Sequence, residues 1–123
     1  MNLISKDDKF ALFGSKGMAG KAISRSLKKN GYLRILEPLR QELDLLNLSE
    51  VKNWFEVSKP EIVIIAAAKV GGIFANDNYP ADFILENLKI QNNIIETAWK
   101  NDVKKLLFLG SSCIYPKFSN QPI

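Results

Sequence analysis

The chain contains 123 residues, of which 46% are hydrophobic and 24% are charged. This size and composition are typical of one globular domain with a hydrophobic core, and they exclude a disordered chain. The formal net charge is +4, but the 17 basic residues are dispersed without a run of five or more, which argues against a nucleic-acid-binding protein.

The first third of the sequence alternates apolar runs with an amphipathic stretch. Residues 9–14 predict a buried strand that ends in glycine, and residues 33–37 predict a second strand. Between them, residues 16–31 predict a helix that ends at Asn30 and Gly31. The expected apolar positions of this helix are Met18, Ile23 and Leu27.

A second helix is predicted before Pro60, because the residue that precedes a proline is disfavoured in a helix. Ser49 is its expected N-cap, and a short strand is expected just before it at residues 43–45. Its expected buried positions are Val51, Trp54 and Phe55.

The remaining elements are two strands and a long helix. Residues 61–68 form an apolar run without alternation, which is typical of a strand covered on both faces. This run is far shorter than the roughly 20 residues that span a bilayer, so we expect no membrane association. Residues 80–101 predict the long helix, and residues 104–110 predict the last strand.

This alternation predicts an α/β fold, a doubly wound parallel sheet that is Rossmann-like. We expect strand 9–14 in the middle with strand 33–37 on one side. Strands 61–67 and 104–109 follow in that order on the other side. The strand order reverses between 9–14 and 61–67, so a ligand crevice is expected there, at the carboxyl ends of the strands.

The segment GSKGMAG places Gly14, Gly17 and Gly20 between a predicted strand and a predicted helix. In this setting Gly14 suits a tight turn, Gly17 allows the backbone to approach a phosphate, and Gly20 allows close packing of helix on strand. The helix N-terminus then presents N–H groups to a pyrophosphate. The pattern therefore indicates dinucleotide binding, although a turn that merely tolerates glycine would look the same.

The charges near this turn bear on the cofactor. An acidic residue at the end of the second strand suits the ribose 2'-hydroxyl of NAD, whereas a basic residue suits the 2'-phosphate of NADP. Glu37 and Arg40 both lie near that strand end, and Lys16 lies within the glycine turn. The two cations favour NADP over NAD, unless Lys16 and Arg40 are ordinary solvated surface charges.

The chain contains, in order, the segments GSKGMAG, RQELDLL, AAAKVGGI, NDNYPADFILENLKIQNNIIETA and NDVKKLLFLGSSCIYPK. Together these segments resemble the GDP-L-fucose synthase family of extended short-chain dehydrogenases/reductases, from about residue 9 to residue 122. The resemblance implies an enzyme that converts GDP-4-keto-6-deoxymannose to GDP-L-fucose. It would do so by epimerisation at C3 and C5 and an NADPH-dependent reduction at C4.

The resemblance also implies which residues contact NADP. Lys16, which is usually arginine in the family, and Arg40 would contact the 2'-phosphate, and Asp44 and Leu45 would lie near the adenine. Ala67 would line the ribose side of the cleft, and Leu109 and Gly110 would line the nicotinamide side. The full implied set is Gly14, Ser15, Lys16, Gly17, Met18, Gly20, Arg40, Asp44, Leu45, Ala67, Leu109 and Gly110.

The same resemblance assigns roles to the residues of SSC. Ser111 would donate a hydrogen bond to the C4 carbonyl of the substrate, Ser112 would line the substrate pocket, and Cys113 would be the acid/base thiol of epimerisation. Without the resemblance, the serines could simply end a strand, and the cysteine could be a small buried hydrophobic residue.

Two catalytic groups of this superfamily do not occur in the 123 residues. None of Tyr32, Tyr79 and Tyr115 is followed four positions later by lysine, and there is no histidine. We therefore expect residues 1–123 to be an N-terminal dinucleotide-binding portion, truncated after the strand at 104–109, without the substrate domain and inactive alone.

Two other functions are consistent with the sequence: a non-catalytic nucleotide-binding module, and another sugar-nucleotide epimerase or reductase. The expected partners are the nucleotide-sugar substrate and a second copy of the chain, because strand 104–109 would be an unprotected sheet edge. No metal site is expected. The single cysteine and the absence of an apolar stretch in the first nine residues predict a cytoplasmic protein.

Overall fold

A computed structural model describes residues 3–67, 80–110 and 118–120, and strands and helices alternate along them. In chain order the elements are β1 (Phe10–Phe13), α1 (Met18–Lys29), β2 (Ile35–Leu36), α2 (Leu48–Ser58), β3 (Ile62–Ile65), α3 (Pro80–Lys100) and β4 (Lys105–Phe108). The strands form a parallel sheet in the order β2-β1-β3-β4. The α/β doubly wound parallel sheet and its predicted strand order are therefore confirmed.

The centre of the sheet is β1 paired with β3. Phe10 lies opposite Ile62, and the pairing continues to Phe13 opposite Ile65. Every residue of both strands is buried, as the absence of alternation in their sequences indicated. The carboxyl ends of β1 and β3 consequently lie side by side at one edge of the sheet, which is where the glycine turn begins.

Helices cover both faces of this central pair. On one face, Phe13 stacks with Phe55 of α2 at a ring-centroid distance of 5.9 Å, and Ile94 and Ala98 of α3 complete the cluster. The other face is formed by residues of β1 and β3 that pack against α1 and the segment after it: Phe10, Leu12, Ile62 and Ile64 contact Ile23, Leu27, Tyr32 and Ile35. α1 is therefore held against β1, next to the turn that joins them.

The predicted apolar face of α1 is confirmed at Ile23 and Leu27 but wrong at Met18, which is 90% exposed. Met18 is the first helical residue, so it lies at the edge of the sheet, away from the core. The predicted end of the helix is confirmed: Asn30 is the C-cap and Gly31 has φ +87°.

Two predictions for the segment before α2 are wrong. The N-cap is Asn47, whose side-chain oxygen accepts from the backbone N–H of Glu50 at 3.2 Å, and Ser49 lies within the helix. Residues 43–45 do not form a strand, and turns lie at 40–42 and 45–46. The backbone N–H groups of Glu42 and Leu43 both donate to the carbonyl of Leu39, so local hydrogen bonds replace a sheet ladder.

The turns that lead into β3 and β4 contain two left-handed residues, Lys59 with φ 49° and Asp102 with φ 53°. Glu61 connects the strands at the end of the sheet where they begin. Its side chain accepts a hydrogen bond from the N–H of Lys9 at 3.1 Å. The carbonyl of Glu61 accepts from the N–H of Lys104 at 2.8 Å. These bonds fix the starts of β1, β3 and β4 relative to one another.

The outer strand β4 is exposed at all four of its residues. In α3, the apolar residues on the side away from the core are also exposed, and they are Ile84, Leu85, Leu88, Ile95 and Trp99. Within the part of the chain that the structure describes, no helix combines the length and the apolar character needed to cross a membrane.

Candidate functional site

The turn between β1 and α1 is built around a backbone contact that requires glycine. Gly14 has φ +90°, and a Cβ at this position would lie 2.6 Å from the carbonyl carbon of Ala66 and from the nitrogen of Ala67. Both the left-handed conformation and the contact exclude a larger side chain. The turn after β1 therefore lies directly against the chain leaving β3, at the predicted crevice.

Gly20 fixes α1 against this turn. A Cβ on Gly20 would lie 1.9 Å from the carbonyl oxygen of Gly14, which is far below any allowed contact. The predicted roles of Gly14 in the turn and Gly20 in close helix packing agree with this geometry.

Gly17 differs from Gly14 and Gly20 because a side chain there meets no close contact among the described residues. It is the N-cap of α1, with no side-chain capping bond, and of the described atoms a Cβ there would meet only the oxygen of Gly14, at 3.6 Å. The first turn of α1 contains no acidic residue, so its partial positive charge is not offset by its own side chains. This uncapped N-terminus has the features that a pyrophosphate needs.

A cleft of about 380 Å³ lies beside the glycine turn, between α1 and the chain after β2, and we call it the α1–β2 cleft. Its lining residues are Ser15, Lys16, Lys21, Ser24, Arg25, Glu37, Leu39 and Glu42. Three lining residues are cationic and two are anionic, so the cleft has an excess of positive charge. This balance suits a phosphate group rather than a neutral ligand.

Glu37 follows β2 and turns its carboxylate toward α1. Its Oε1 accepts a hydrogen bond from the hydroxyl of Ser24, a buried residue of α1. Its Oε2 lies 3.8 Å from the Nζ of Lys28, one turn further along the helix. Both oxygens of the carboxylate therefore face groups of α1.

Four cations lie near the expected 2'-phosphate contact. Lys16 lines the α1–β2 cleft, whereas Arg40 is exposed and is not among the residues that line it. Lys21 and Arg25 also line the cleft, although the sequence analysis did not single them out. Their spacing of four residues puts them on one face of α1, and this helical spacing was the available signal.

The residues expected near the adenine lie in the turns before α2. Leu45 packs against the core cluster of Phe13 and Phe55, and its carbonyl accepts from the Nδ2 of Asn93 at 2.8 Å. Asp44 is exposed, and its Oδ1 accepts from the N–H of Leu46 at 3.0 Å. The side chain of Asp44 therefore stabilises its own turn.

The residues expected on the ribose and nicotinamide sides follow the carboxyl ends of β3 and β4. The backbone nitrogen of Ala67 takes part in the contact with Gly14, and Ala67 also packs against the core. The N–H of Leu109 donates to the carbonyl of Ile65 at 3.3 Å, and Gly110 has φ +65°. These residues belong to the same edge of the sheet as the glycine turn.

The predicted substrate residues Ser111, Ser112 and Cys113 lie outside the described residues. Among the residues that are described, no three histidine, cysteine, aspartate or glutamate side chains come together as a metal site.

Residues 11–123 match the model of the NAD dependent epimerase/dehydratase family. The chain belongs to this family. It is 52% identical over 121 residues to the putative GDP-L-fucose synthase 2 of Arabidopsis thaliana, covering 98% of this chain and 37% of that protein. It is also 52% identical over 110 residues to the GDP-L-fucose synthase of Escherichia coli (strain K12), covering 89% of this chain and 34% of the relative. The chain thus spans about a third of the length of these relatives.

Solved structures resemble the chain over nearly its whole length. A GDP-mannoheptose C4 reductase from Campylobacter jejuni with NADP bound gives a TM-score of 0.92 at 42% identity, covering 98% of this chain and 38% of the other. A GDP-L-fucose synthetase from Naegleria fowleri bound to NADP gives a TM-score of 0.84 at 29% identity, covering 98% and 36%. Family members with this fold therefore include NADP-bound proteins that are named for GDP-sugars.

Proposed function

We propose that this chain is the NADP-binding portion of a GDP-L-fucose synthase, with residues 1–123 forming its N-terminal dinucleotide-binding part. The observation that carries the proposal is the α1–β2 cleft, which places an excess of cations beside a glycine turn and an uncapped helix N-terminus. The identity of 52% to GDP-L-fucose synthases of Arabidopsis thaliana and Escherichia coli supports the choice of enzyme.

In this proposal the glycine turn and the start of α1 bind the pyrophosphate of NADP. The backbone N–H groups after Gly17 donate to it, and the described residues leave room for it beside Gly17. Lys16, Lys21 and Arg25 bind the 2'-phosphate, and Arg40 approaches it from outside the cleft lining. Asp44 and Leu45 lie near the adenine. Ala67 lies on the ribose side of the crevice, and Leu109 and Gly110 lie on the side toward the nicotinamide.

The proposed substrate is GDP-4-keto-6-deoxymannose. NADPH supplies the hydride for reduction at C4. Ser111 donates a hydrogen bond to the C4 oxygen, because negative charge develops on a carbonyl oxygen that accepts hydride. Cys113 exchanges protons at the carbons next to the ketone, which needs a group that both gives and accepts a proton. Ser112 contacts the sugar in the same pocket. A cytoplasmic location belongs to this proposal, since a thiol stays reduced there.

A second GDP-sugar activity is a competing candidate. The Campylobacter jejuni GDP-mannoheptose C4 reductase has the higher TM-score, 0.92, and the higher identity, 42%, of the two structures compared above. A C4 reductase needs the hydrogen-bond donor at the carbonyl but does not need the epimerising thiol. The role of Cys113 therefore separates the two candidates.

A homodimer is the proposed assembly. β4 exposes Leu106, Leu107 and Phe108 at the outer edge of the sheet, and α3 exposes an apolar side. Among the described residues no strand pairs with the outer edge of β4, and such an edge with apolar residues is a surface that a second chain can cover. Either β4 or α3 would provide the contact.

Calorimetry of the 123-residue chain with 2',5'-ADP and with 5'-AMP tests the cofactor site. Binding of 2',5'-ADP is expected to be about tenfold tighter or more, since hydrogen bonds to charged groups contribute about 1.5–3 kcal/mol. Equal affinities would remove the proposed 2'-phosphate site.

Chimeras test the reaction. The chain would replace the matched 110-residue segment of the Escherichia coli GDP-L-fucose synthase and, separately, the matched segment of the Campylobacter jejuni reductase. Formation of GDP-L-fucose in the first host, lost on Cys113→Ser, supports the synthase. Activity in the reductase host alone supports the competing candidate.

A further inference from the structure

Glu37 has the position of a residue that usually selects NAD, in a site proposed to bind NADP. A carboxylate at the end of the second strand accepts hydrogen bonds from a ribose 2'-hydroxyl, and it repels a phosphate at the same place. Glu37 lines the α1–β2 cleft together with Lys16 and Arg25. Its charge therefore opposes the group that the neighbouring cations attract.

The hydrogen bond from Ser24 distinguishes Glu37 from a carboxylate that is free to bind the ribose 2'-hydroxyl of NAD. The hydroxyl of Ser24 donates to Oε1 of Glu37, and Ser24 is only 8% exposed, so water competes little for this bond. The bond holds the carboxylate on α1 and uses one of its oxygens as an acceptor. A ribose hydroxyl would have to share or displace the serine.

Lys28 contributes less to this arrangement. Its Nζ lies 3.8 Å from Oε2, and its side chain is 57% exposed, whereas that of Glu37 is 27% exposed. Long, exposed ion pairs are weak because water and salt screen them. Ser24 is therefore the main group that fixes the position of Glu37.

We infer that Glu37 is a specificity-determining residue of the cofactor site and that Ser24 is its positioning residue. While Ser24 holds the carboxylate on α1, Lys16, Lys21 and Arg25 are left to bind a 2'-phosphate. When the bond is absent, the carboxylate turns into the cleft, where it pairs with those cations and accepts a ribose hydroxyl. The preference then moves from a 2'-phosphate toward a 2'-hydroxyl. This inference rests on the proposed NADP site.

Calorimetry on the 123-residue chain tests it, with the ratio of the 5'-AMP and 2',5'-ADP dissociation constants as the readout. Ser24→Ala is expected to lower this ratio about tenfold or more, the scale of one hydrogen bond to a charged group. Glu37→Gln in the Ser24→Ala background is expected to restore the ratio to the original value or above it. The matched control is Ser26→Ala, because Ser26 is an exposed residue of the same helix outside the cleft lining.

The two variants separate the role of Ser24 in positioning from a role in folding alone. If Ser24→Ala lowers the ratio of dissociation constants by the same factor in the Glu37→Gln background, then Ser24 does not act through Glu37. This result overturns the inference. An unchanged ratio in Ser24→Ala also overturns it while leaving the NADP site intact. If the unmodified chain binds neither nucleotide, the proposed function fails, and the inference fails with it.

Discussion

The Nζ of Lys104 lies 2.9 Å from Oδ2 of Asp8, although the two residues are 96 positions apart in the chain. The same carboxylate oxygen accepts from the backbone N–H of Ser5 at 2.8 Å. The hydrogen bond from Lys104, followed by that from Ser5, holds the pKa of Asp8 below its ordinary value. This pair ties the segment before β1 to the start of β4.

The direction of this pKa shift predicts how stability depends on pH. The ionised form of Asp8 is favoured in the folded chain, so it stabilises the fold fully above the unfolded pKa of about 3.9. This stabilisation is lost as the pH falls from there through the lower folded pKa. In urea unfolding between about pH 5 and pH 2, the free energy of unfolding is expected to fall less steeply with decreasing pH for Asp8→Asn than for the original chain. Asp7→Asn, a change at the exposed neighbour, should keep the original slope. Equal slopes for all three proteins would contradict the assignment.

Gly20→Ala is expected to destabilise the fold by about 1–3 kcal/mol or more, as overpacking does. An alanine in a helix normally stabilises by about 1 kcal/mol relative to glycine. A loss of stability in Gly20→Ala would therefore indicate a steric clash, because helix propensity alone predicts a gain. The reason is the 1.9 Å approach of the new Cβ to the oxygen of Gly14. Thermal or urea denaturation measures it.

Gly17→Ala is the matched variant for this test. Among the described residues, its Cβ would approach only the oxygen of Gly14, at 3.6 Å, so the free energy of unfolding should change by less than about 1 kcal/mol. Its nucleotide affinity should still fall, because the new methyl group narrows the approach to the N-terminus of α1. A stable Gly20→Ala chain, or a Gly17→Ala chain with full affinity, would be evidence against the described turn.

The cations of the α1–β2 cleft should differ in their effect on 2',5'-ADP. Arg25→Met is expected to weaken binding about tenfold, and Arg40→Met is expected to have a smaller effect because Arg40 is outside the cleft lining. Lys29→Met serves as the control, as it removes an exposed charge at the far end of α1. Calorimetry at two salt concentrations separates direct contacts from long-range attraction. A larger loss for Arg40→Met would restore the assignment made from sequence.

The isolated chain is expected not to form GDP-L-fucose. Its 123 residues contain no Tyr-x-x-x-Lys and no histidine, and general acid or base catalysis contributes typically about 10²- to 10⁴-fold. Incubation with NADPH and GDP-4-keto-6-deoxymannose should give no product above a protein-free control. The Escherichia coli enzyme in the same assay provides the positive control. Turnover by the chain alone would show that the proton donor lies among these residues.

Self-association is expected to depend on the exposed edge of the sheet. Leu107 of β4 is 52% exposed, and covering such a side chain recovers part of the roughly 1.5–3 kcal/mol of its full burial. Light scattering over a concentration series should show dimers that Leu107→Lys weakens. Val57→Lys, at a residue of α2 that is 75% exposed, should leave the mass unchanged. A monomeric mass at all concentrations would exclude association through β4. If the mass is dimeric and insensitive to Leu107→Lys, then α3 is the contact.

The order of the sheet could be predicted because β1 and β3 are apolar without interruption, which occurs where both faces are covered. The apolar residues at 43–45 did not allow a strand to be distinguished from a turn. Leu43 is buried there, but the carbonyl of Leu39 satisfies its N–H within a turn. An apolar side chain predicts burial, but it does not predict whether the backbone N–H bonds to a neighbouring strand or to a nearby carbonyl in a turn.

In the candidate site, features set by neighbouring residues could be predicted from the sequence, whereas features set by contacts between separate elements could not. The glycine spacing predicted the turn, because its steric demands act between near neighbours in the chain. Which cations line the cleft depends instead on how the segment after β2 runs past α1, and this path placed Arg25 in the lining rather than Arg40. The bond between Ser24 and Glu37 joins two elements and has no signal in the local sequence.

The parallel pairing of β1 has a consequence for synthesis of the chain. Phe10 pairs with Ile62, so the central strand is made 52 residues before its longest neighbour. At about 5–20 residues per second, this delay is roughly 3–10 s, and burial of Phe10–Phe13 between two strands has to wait for it. The short pairing with β2 comes earlier but involves only two residues of each strand. The nascent chain therefore exposes a wholly apolar strand on the ribosome for several seconds, a period in which a chaperone has time to bind it.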